Sequence, residues 1–286
     1  MIYKPQQISI LNDMKIVQVD SGYDFVAILT NNGHVFIASD VKSKWKTNNT
    51  FKLINPHYCR FKMIACGKHH LLMLERDGYV FDFGQITGNE TSSYERMIQI
   101  ANLKNIKLIV CGLNHSLSIT NKGEIYSWFN TLYNKRDPSL VSFPNNCSAR
   151  IKDIVAGSNH SLFLFENGQL WGCGSNYNGE LGLGDKNNRN LTKIPIENVQ
   201  QIACSKFQNF SLAYDGSSYY AWGKTKYYEW LTPRKLDYPH SSFASASALL
   251  CNSPITFGLC NVKDKLEGFV IFFVDHFFST VTNSLI

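Results

Sequence analysis

Apolar residues fall along this chain in short runs of five or six, broken at regular steps by Asn-Gly, Asp-Gly or Lys-Gly. The run F-V-A-I-L-T-N-N-G-H-V-F at Phe25 returns as H-L-L-M-L-E-R-D-G-Y-V-F at His70. It returns again as H-S-L-S-I-T-N-K-G-E-I-Y at His115 and H-S-L-F-L-F-E-N-G-Q-L-W at His160. The turn glycines Gly33, Gly78, Gly123 and Gly168 stand 45 residues apart, and so do Phe25, His70, His115 and His160. Two short apolar runs joined by a glycine able to take a positive φ predict a β-hairpin. A fifth copy, F-S-L-A-Y-D-G-S-S-Y-Y-A-W-G from Phe210, is offset by a few residues, and a sixth, L-C-N-S-P-I-T-F-G-L from Leu250, is worn.

One such sheet cannot bury both of its faces. Sheets stacked radially can, each covering its neighbour's apolar side, so the period predicts an all-β chain folded as a β-propeller. The expected architecture is about six four-stranded blades, with seven as the alternative, in a single domain over residues 1–286. Repeats are placed near 14–58, 59–103, 104–148, 149–198, 199–243 and 244–286. The segment P-Q-Q-I-S-I-L at Pro5 reads like the end of a repeat, since Ile8, Leu53, Ile98 and Phe143 keep the same step. Residues 1–13 are therefore expected to complete the last blade and close the ring with an N-terminal strand.

Blades of the WD type would show Gly-His followed by Trp-Asp, and kelch blades a double glycine; neither is present. The fourth repeat instead reads A-G-S-N-H-S-L-F-L-F-E-N-G-Q-L-W-G-C-G-S-N-Y-N-G-E-L-G-L-G-D from Ala156. It closely resembles the repeat of the regulator of chromosome condensation family, including the G-x-N-x-x-G-x-L-G-x-G-D run from Gly174 to Asp185. Repeats one, two, three and five lack the full glycine-rich run. The resemblance implies either guanine-nucleotide exchange on a Ran-type small GTPase, with chromatin binding in the founding member, or scaffolding through one propeller face; a fold by itself does not choose between them.

In the exchange factors the resemblance points to, a carboxylate just before the repeat histidine meets the GTPase, and a β-wedge inserted in one blade pries at the nucleotide site. Asp24, His69, Asn114, Asn159, Asn209 and Pro254 hold that slot here, and Asp24 is the acidic one among them. Its own repeat has Phe25 where the histidine would stand. The repeat lengths leave too little room for a full wedge hairpin.

Composition narrows the chemistry. The chain has 286 residues, 44% of them hydrophobic, and a formal net charge of +6, a mild basic excess that makes nucleic acid a poor candidate partner. The eight cysteines form no C-x-x-C pair, which argues against a zinc ribbon and for reduced thiols in a cytosol-like compartment. The location is read as cytoplasmic or nuclear, or the host cytoplasm for a secreted effector.

His70, His115 and His160 could suggest a three-histidine metal centre. They occupy one repeated slot, however, so successive blades rotate them apart, and each is read as a structural residue satisfying a local backbone hydrogen bond. Cys66, Cys111 and Cys251 share a slot four residues earlier and are read as small residues on a crowded inner strand. The Gly174 run lacks the lysine of a phosphate-binding loop and is read as turn geometry. No nucleophile, base and orienting group recur at a repeat-compatible spacing, so the chain is expected to carry no cofactor, no metal and no catalytic constellation, with exchange activity left open by the resemblance.

Basic and aromatic residues cluster in K-S-K-W-K at 42–46 and T-K-Y-Y-E-W-L-T-P-R-K at 225–235. Tryptophan, tyrosine and arginine anchor protein interfaces. Trp45, Tyr227, Tyr228, Trp230 and Arg234 join Asp24 as the expected contacts with a protein partner, a Ran-type GTPase or another protein bound by an adaptor, to a propeller that is itself a monomer. The stretch G-F-V-I-F-F-V-D-H-F-F-S-T-V at 268–281 is interrupted by Asp275 and His276 and too short to span a bilayer. An outer strand, a docking tail and a membrane-surface contact are its open readings.

Overall fold

The structure, a computed structural model, describes residues 8–40, 43, 45, 47, 49–55, 60–84, 97–131, 134–135, 137–144, 149–224 and 229–236. Among these residues five antiparallel sheets follow one another along the chain, all but the third simple meanders. Blade one is β1 (Ile16–Ser21), β2 (Phe25–Thr30), β3 (Val35–Ser39) and β4 (Lys52–Leu53). Blade two is β5 (Phe61–Cys66), β6 (His70–Glu75), β7 (Val80–Gly84) and β8 (Met97–Gln99). Blade three is β9 (Ile106–Cys111), β10 (His115–Thr120), β11 (Ile125–Thr131), β12 (Asn134–Lys135) and β13 (Ser139–Leu140), with both β12 and β13 paired to β11. Blade four is β14 (Ile151–Ala156), β15 (His160–Phe165), β16 (Leu170–Gly174) and β17 (Arg189–Lys193). Blade five is β18 (Gln201–Cys204), β19 (Asn209–Tyr214), β20 (Tyr219–Lys224) and β21 (Glu229–Leu236).

The second strand of each blade has no exposed side, which is why it reads as a nearly continuous apolar run in blades one, two and four; in blade three it alternates, H-S-L-S-I-T, and Ser116 and Ser118 are buried all the same. All six residues of β2 are buried. Phe25, Ala27 and Leu29 enter the core shared with blade two, beside Ile64, Leu71 and Met73. Val26 and Ile28 enter the opposite flank. The same division makes a core between blades two and three, three and four, and four and five.

First strands of successive blades pack against one another, β1 on β5, β5 on β9, β9 on β14 and β14 on β18, so they line the axis. Side chains bridge them where backbone ladders cannot. Gln18 donates to the Ile64 carbonyl at 2.7 Å and accepts from the Ile64 N–H at 2.9 Å, so its amide imitates a strand partner.

Three of the four hairpin glycines do two jobs. Gly33, Gly78, Gly123 and Gly168 all have φ between 78° and 89°, and the Gly33 N–H donates to the Thr30 carbonyl at 2.9 Å, with the same bond at the other three. A side chain at such a φ is strained. The carbonyls of Gly33, Gly78 and Gly168 then accept the N–H of Phe61, Ile106 and Val199 in the following blade.

Two flanks face away from this stack: Val26, Ile28, Phe36, Ala38 and Phe51 on blade one, and Phe210, Leu212, Tyr219 and Ala221 on blade five. The sixth repeat, residues 244–286, is proposed to cover them; it lies outside the described residues, as do 1–7, so the expected closing strand does too. What is described of the N-terminal segment departs from expectation, because Ser9–Leu11 forms a 3-10 turn instead of a strand. Ile8 and Leu11 both pack on the blade-one flank, and a three-residue turn is the conformation that puts positions i and i+3 on one side.

Candidate protein-binding face

Each blade turns from its first strand to its second at the same end of the ring. Those turns, at 22–24, 67–69, 112–114, 157–159 and 205–208, gather around the axis because the first strands do. They are joined laterally: the Tyr23 N–H donates to the Lys68 carbonyl at 3.1 Å, the Lys68 N–H to Leu113 at 2.8 Å, and the Leu113 N–H to Gly157 at 3.1 Å. The connections from third to fourth strand leave from this end as well, and the Ser175 N–H donates to the Asn159 carbonyl at 2.9 Å. Backbones meet so closely here that only glycine fits. A Cβ on Gly174 would lie 2.5 Å from the Asn159 oxygen, and one on Gly223 2.2 Å from the Asn209 oxygen.

The histidine slot is buried, and its Nε2 partner is a serine of the following blade. His70 Nε2 meets Ser116 Oγ at 3.0 Å, His115 meets Ser161 at 2.8 Å and His160 meets Ser211 at 2.9 Å, each reaching into the following blade. The expected bond within the blade gives way at Nε2 to one across the boundary, since a side chain on a fully covered strand points at its neighbour. The accompanying signal is the serine one residue after the slot in H-S, H-S and F-S. Burial lowers the His115 and His160 pKa values to about 4, so both rings are neutral at pH 7. Cys66 and Cys111 are buried, and desolvation raises both thiols, that of Cys111 to about 12, which makes them poor nucleophiles.

Around the mouth of the axis stand Tyr23, Asp24, Lys68, His69, Lys206 and Phe207. Asp24 Oδ1 lies 3.9 Å from His69 Nδ1, with the two side chains 24% and 32% exposed. That oxygen is shielded and accepts no hydrogen bond. Tyr23, 45% exposed, meets the His69 ring edge-on at 6.0 Å and the Phe207 ring at 6.4 Å, while the Lys68 ammonium sits 5.4 Å above it. Asp24 thus lacks a histidine in its own blade and gains one from the next.

Below them Lys206 crosses from blade five to blades one and two. Its ammonium donates to Asp20 Oδ1 and Oδ2 at 2.8 and 3.0 Å and to the Cys66 carbonyl at 2.8 Å. Desolvation alone would lower its pKa, but the Asp20 carboxylate outweighs it and the net shift is upward. Both side chains keep about a quarter of their surface in water, so solvent screens the pair. Lys206→Met should cost about 1–3 kcal/mol in urea unfolding, less than loss of a fully buried pair. Adding Asp20→Asn should recover part of it, because the orphaned charge is then gone; a double variant as unstable as the sum of the singles would show no coupling.

The other expected contacts do not join this cluster. Trp45 is only 4% exposed, packed 4.2 Å from Phe25 and 5.8 Å from Phe83, so its placement as an exposed contact is corrected: its loop turns the indole inward to fill the core between blades one and two. Trp230 and Arg234 lie on the outermost strand of blade five, the guanidinium 6.0 Å over the indole. Tyr227 and Tyr228 lie outside the described residues. Tyr23, Lys68, His69, Lys206 and Phe207 were not singled out as contacts from sequence, although His69 shares the slot of Asp24.

Residues 151–180 and 167–212 match the regulator of chromosome condensation (RCC1) repeat. The chain folds as a β-propeller whose residues 151–212 carry RCC1-type repeats. Its fold is similar to that of yeast RCC1 (Prp20) bound to Kap60, with a TM-score of 0.67 and 18% identity over 81% of this chain and 63% of that one. Similar too are Prp20p of Saccharomyces cerevisiae, solved alongside a study of its binding to Gsp1p and histones (TM-score 0.64, 20% identity, 81% and 65% covered), and human WBSCR16 (TM-score 0.64, 18% identity, 78% and 68% covered). At such identities the likeness is one of fold. This RCC1-type chain spans somewhat under two thirds of the length of the two yeast chains. A search of curated protein sequences gives no match.

Proposed function

We propose that this RCC1-type propeller binds a protein partner through the face that carries Asp24, that the partner is a Ran-type small GTPase, and that binding accelerates nucleotide release. The observation that carries the reading is the Asp24 carboxylate, 24% exposed, which stands beside His69, Tyr23 and Lys68 at the mouth of the axis. One of its oxygens is shielded without a hydrogen bond, the exposed part of the group can accept a donor from a partner, and the surrounding aromatic and cationic groups are of the kind that anchor interfaces.

A second feature supports exchange over passive scaffolding. The repeat spacing left no room for a full wedge hairpin, yet blade three lengthens its third strand into a short one, β11 with β12, paired Asn130↔Lys135 and Thr131↔Asn134. It fits inside an ordinary repeat because it borrows residues from the connection to β13. Such an extension of β11, at the end of the blade where the Asp24 turn also lies, suits a partner whose nucleotide site must be opened.

Exchange needs tighter binding to the nucleotide-free GTPase than to the GDP form, since equal affinity shifts nothing. Release of labelled GDP from Ran should accelerate at least tenfold with micromolar propeller. Asp24→Asn should remove about tenfold or more of that effect, the scale of one lost charge-assisted hydrogen bond. Unchanged release with tight binding would leave an adaptor, and the absence of both effects would overturn the reading.

A further inference from the structure

The glycine-rich run of blade four is built to stay still. Asn176, fully buried, holds its two ends together: its amide donates to the Asp185 carbonyl at 2.9 Å and to Asp185 Oδ1 at 3.2 Å, and its Oδ1 accepts from the Leu181 N–H at 2.8 Å. Glu180, almost fully buried, takes the Asn178 N–H at 2.8 Å, and its carbonyl accepts from Ser211 Oγ at 2.9 Å and Trp222 Nε1 at 2.7 Å in blade five. Leu181 enters the core between the two blades, and the Gly184 N–H donates to the Leu231 carbonyl at 2.8 Å.

Within this fixed loop Tyr177 turns the other way. It is 66% exposed, the highest value among the large apolar side chains described, and its side chain makes no hydrogen bond or ring contact. The flanking Asn176 and Asn178 are both held by side-chain bonds, so the tyrosine projects from a turn that has already lost its freedom. The turn opens beside Asn159, on the face that carries Tyr23 and Asp24. Isolated exposed apolar groups are common on protein surfaces. An aromatic with two rotatable bonds on an immobilised turn, facing the same way as a charged cluster, is what a low-entropy interface anchor requires.

We infer that Tyr177 is a second anchor of the partner-binding face, seating its ring in an apolar depression on the GTPase while Asp24 supplies the polar contact near the axis. The inference rests on the function proposed above. Two attachment points at different radii fix the partner's rotation about the propeller axis, which a single contact near the axis cannot do.

Binding of nucleotide-free Ran to the full chain should weaken about tenfold or more in Tyr177→Ser, the cost of losing a central aromatic, and stay within about threefold in Tyr177→Phe, which keeps the ring. Melting temperature should change little in both, since most of the side chain is already in water. If the unaltered chain binds and Tyr177→Ser binds equally well while Asp24→Asn is impaired, the second anchor is wrong and the site at the axis stands. If the unaltered chain does not bind Ran at all, the functional reading fails and the anchor falls with it.

Discussion

Trp222→Ala should lower the unfolding free energy by about 3–5 kcal/mol, the range for deleting a fully buried indole. The side chain has no exposed surface and packs with Leu181, Ile194, Val199 and Ile202 in the core between blades four and five. Its Nε1 also donates to the Glu180 carbonyl at 2.7 Å. Trp222→Phe separates the two contributions. It keeps most of the apolar volume, and the Glu180 carbonyl still accepts from Ser211, so the loss should be nearer 1–2 kcal/mol. Urea unfolding monitored by circular dichroism measures both, and a loss below about 1 kcal/mol for the alanine variant would contradict the packing.

Acid should be the second large perturbation. His115 and His160 are buried with pKa values lowered to about 4, whereas in an unfolded chain they titrate near 6.5. Between those limits the unfolded state binds protons that the native state refuses, so stability falls as pH drops from about 6.5 to about 4, by about 1.4 kcal/mol per pH unit for each ring. Over that window each histidine contributes on the order of 3 kcal/mol, large against the 5–15 kcal/mol typical of a domain. Urea midpoints measured at pH 7 and pH 5 should differ accordingly. His115→Gln and His160→Gln should flatten the dependence while lowering stability at pH 7, and an unaltered slope would place the acid sensitivity elsewhere.

The part of this propeller visible in its sequence is the part that repeats. Gly33, Gly78, Gly123 and Gly168 announced their hairpins because a left-handed turn demands glycine, and the second strands of blades one, two and four announced their burial by being largely apolar on both sides, whereas the Ser116 and Ser118 side of blade three did not. The inward side of Trp45 was hidden, since a long connection carries no period to say which of its residues faces the core. Lys206 and Asp20 are 186 residues apart, and no translational pattern relates them; only the closing of blades about an axis brings them together. The short hairpin of blade three was hidden for the opposite reason, because it alters local pairing without altering repeat length. At the candidate face, Asp24 stood out by its slot, but the imidazole beside it comes from another repeat, which a blade-by-blade reading assigns to a different place.

The histidine-to-serine contacts carry a consequence for how this molecule could be rearranged. Each joint is a matched pair, histidine on one repeat and serine on the next; between blades one and two the pair is Phe25 with Leu71, apolar on both sides. Moving or duplicating blade two would set an imidazole against Leu71, and following blade one with any other module would set the Phe25 ring against a hydroxyl, leaving one polar group stranded at a dry boundary, whereas blades three and four carry the same His-Ser pair and could trade places. The positions of the first two modules are thereby written into their borders. The same mismatch penalises blade two exchanged out of register with a second copy, so part of the molecule's safeguard against tangled oligomers lies in its joints as well as in its exposed edges.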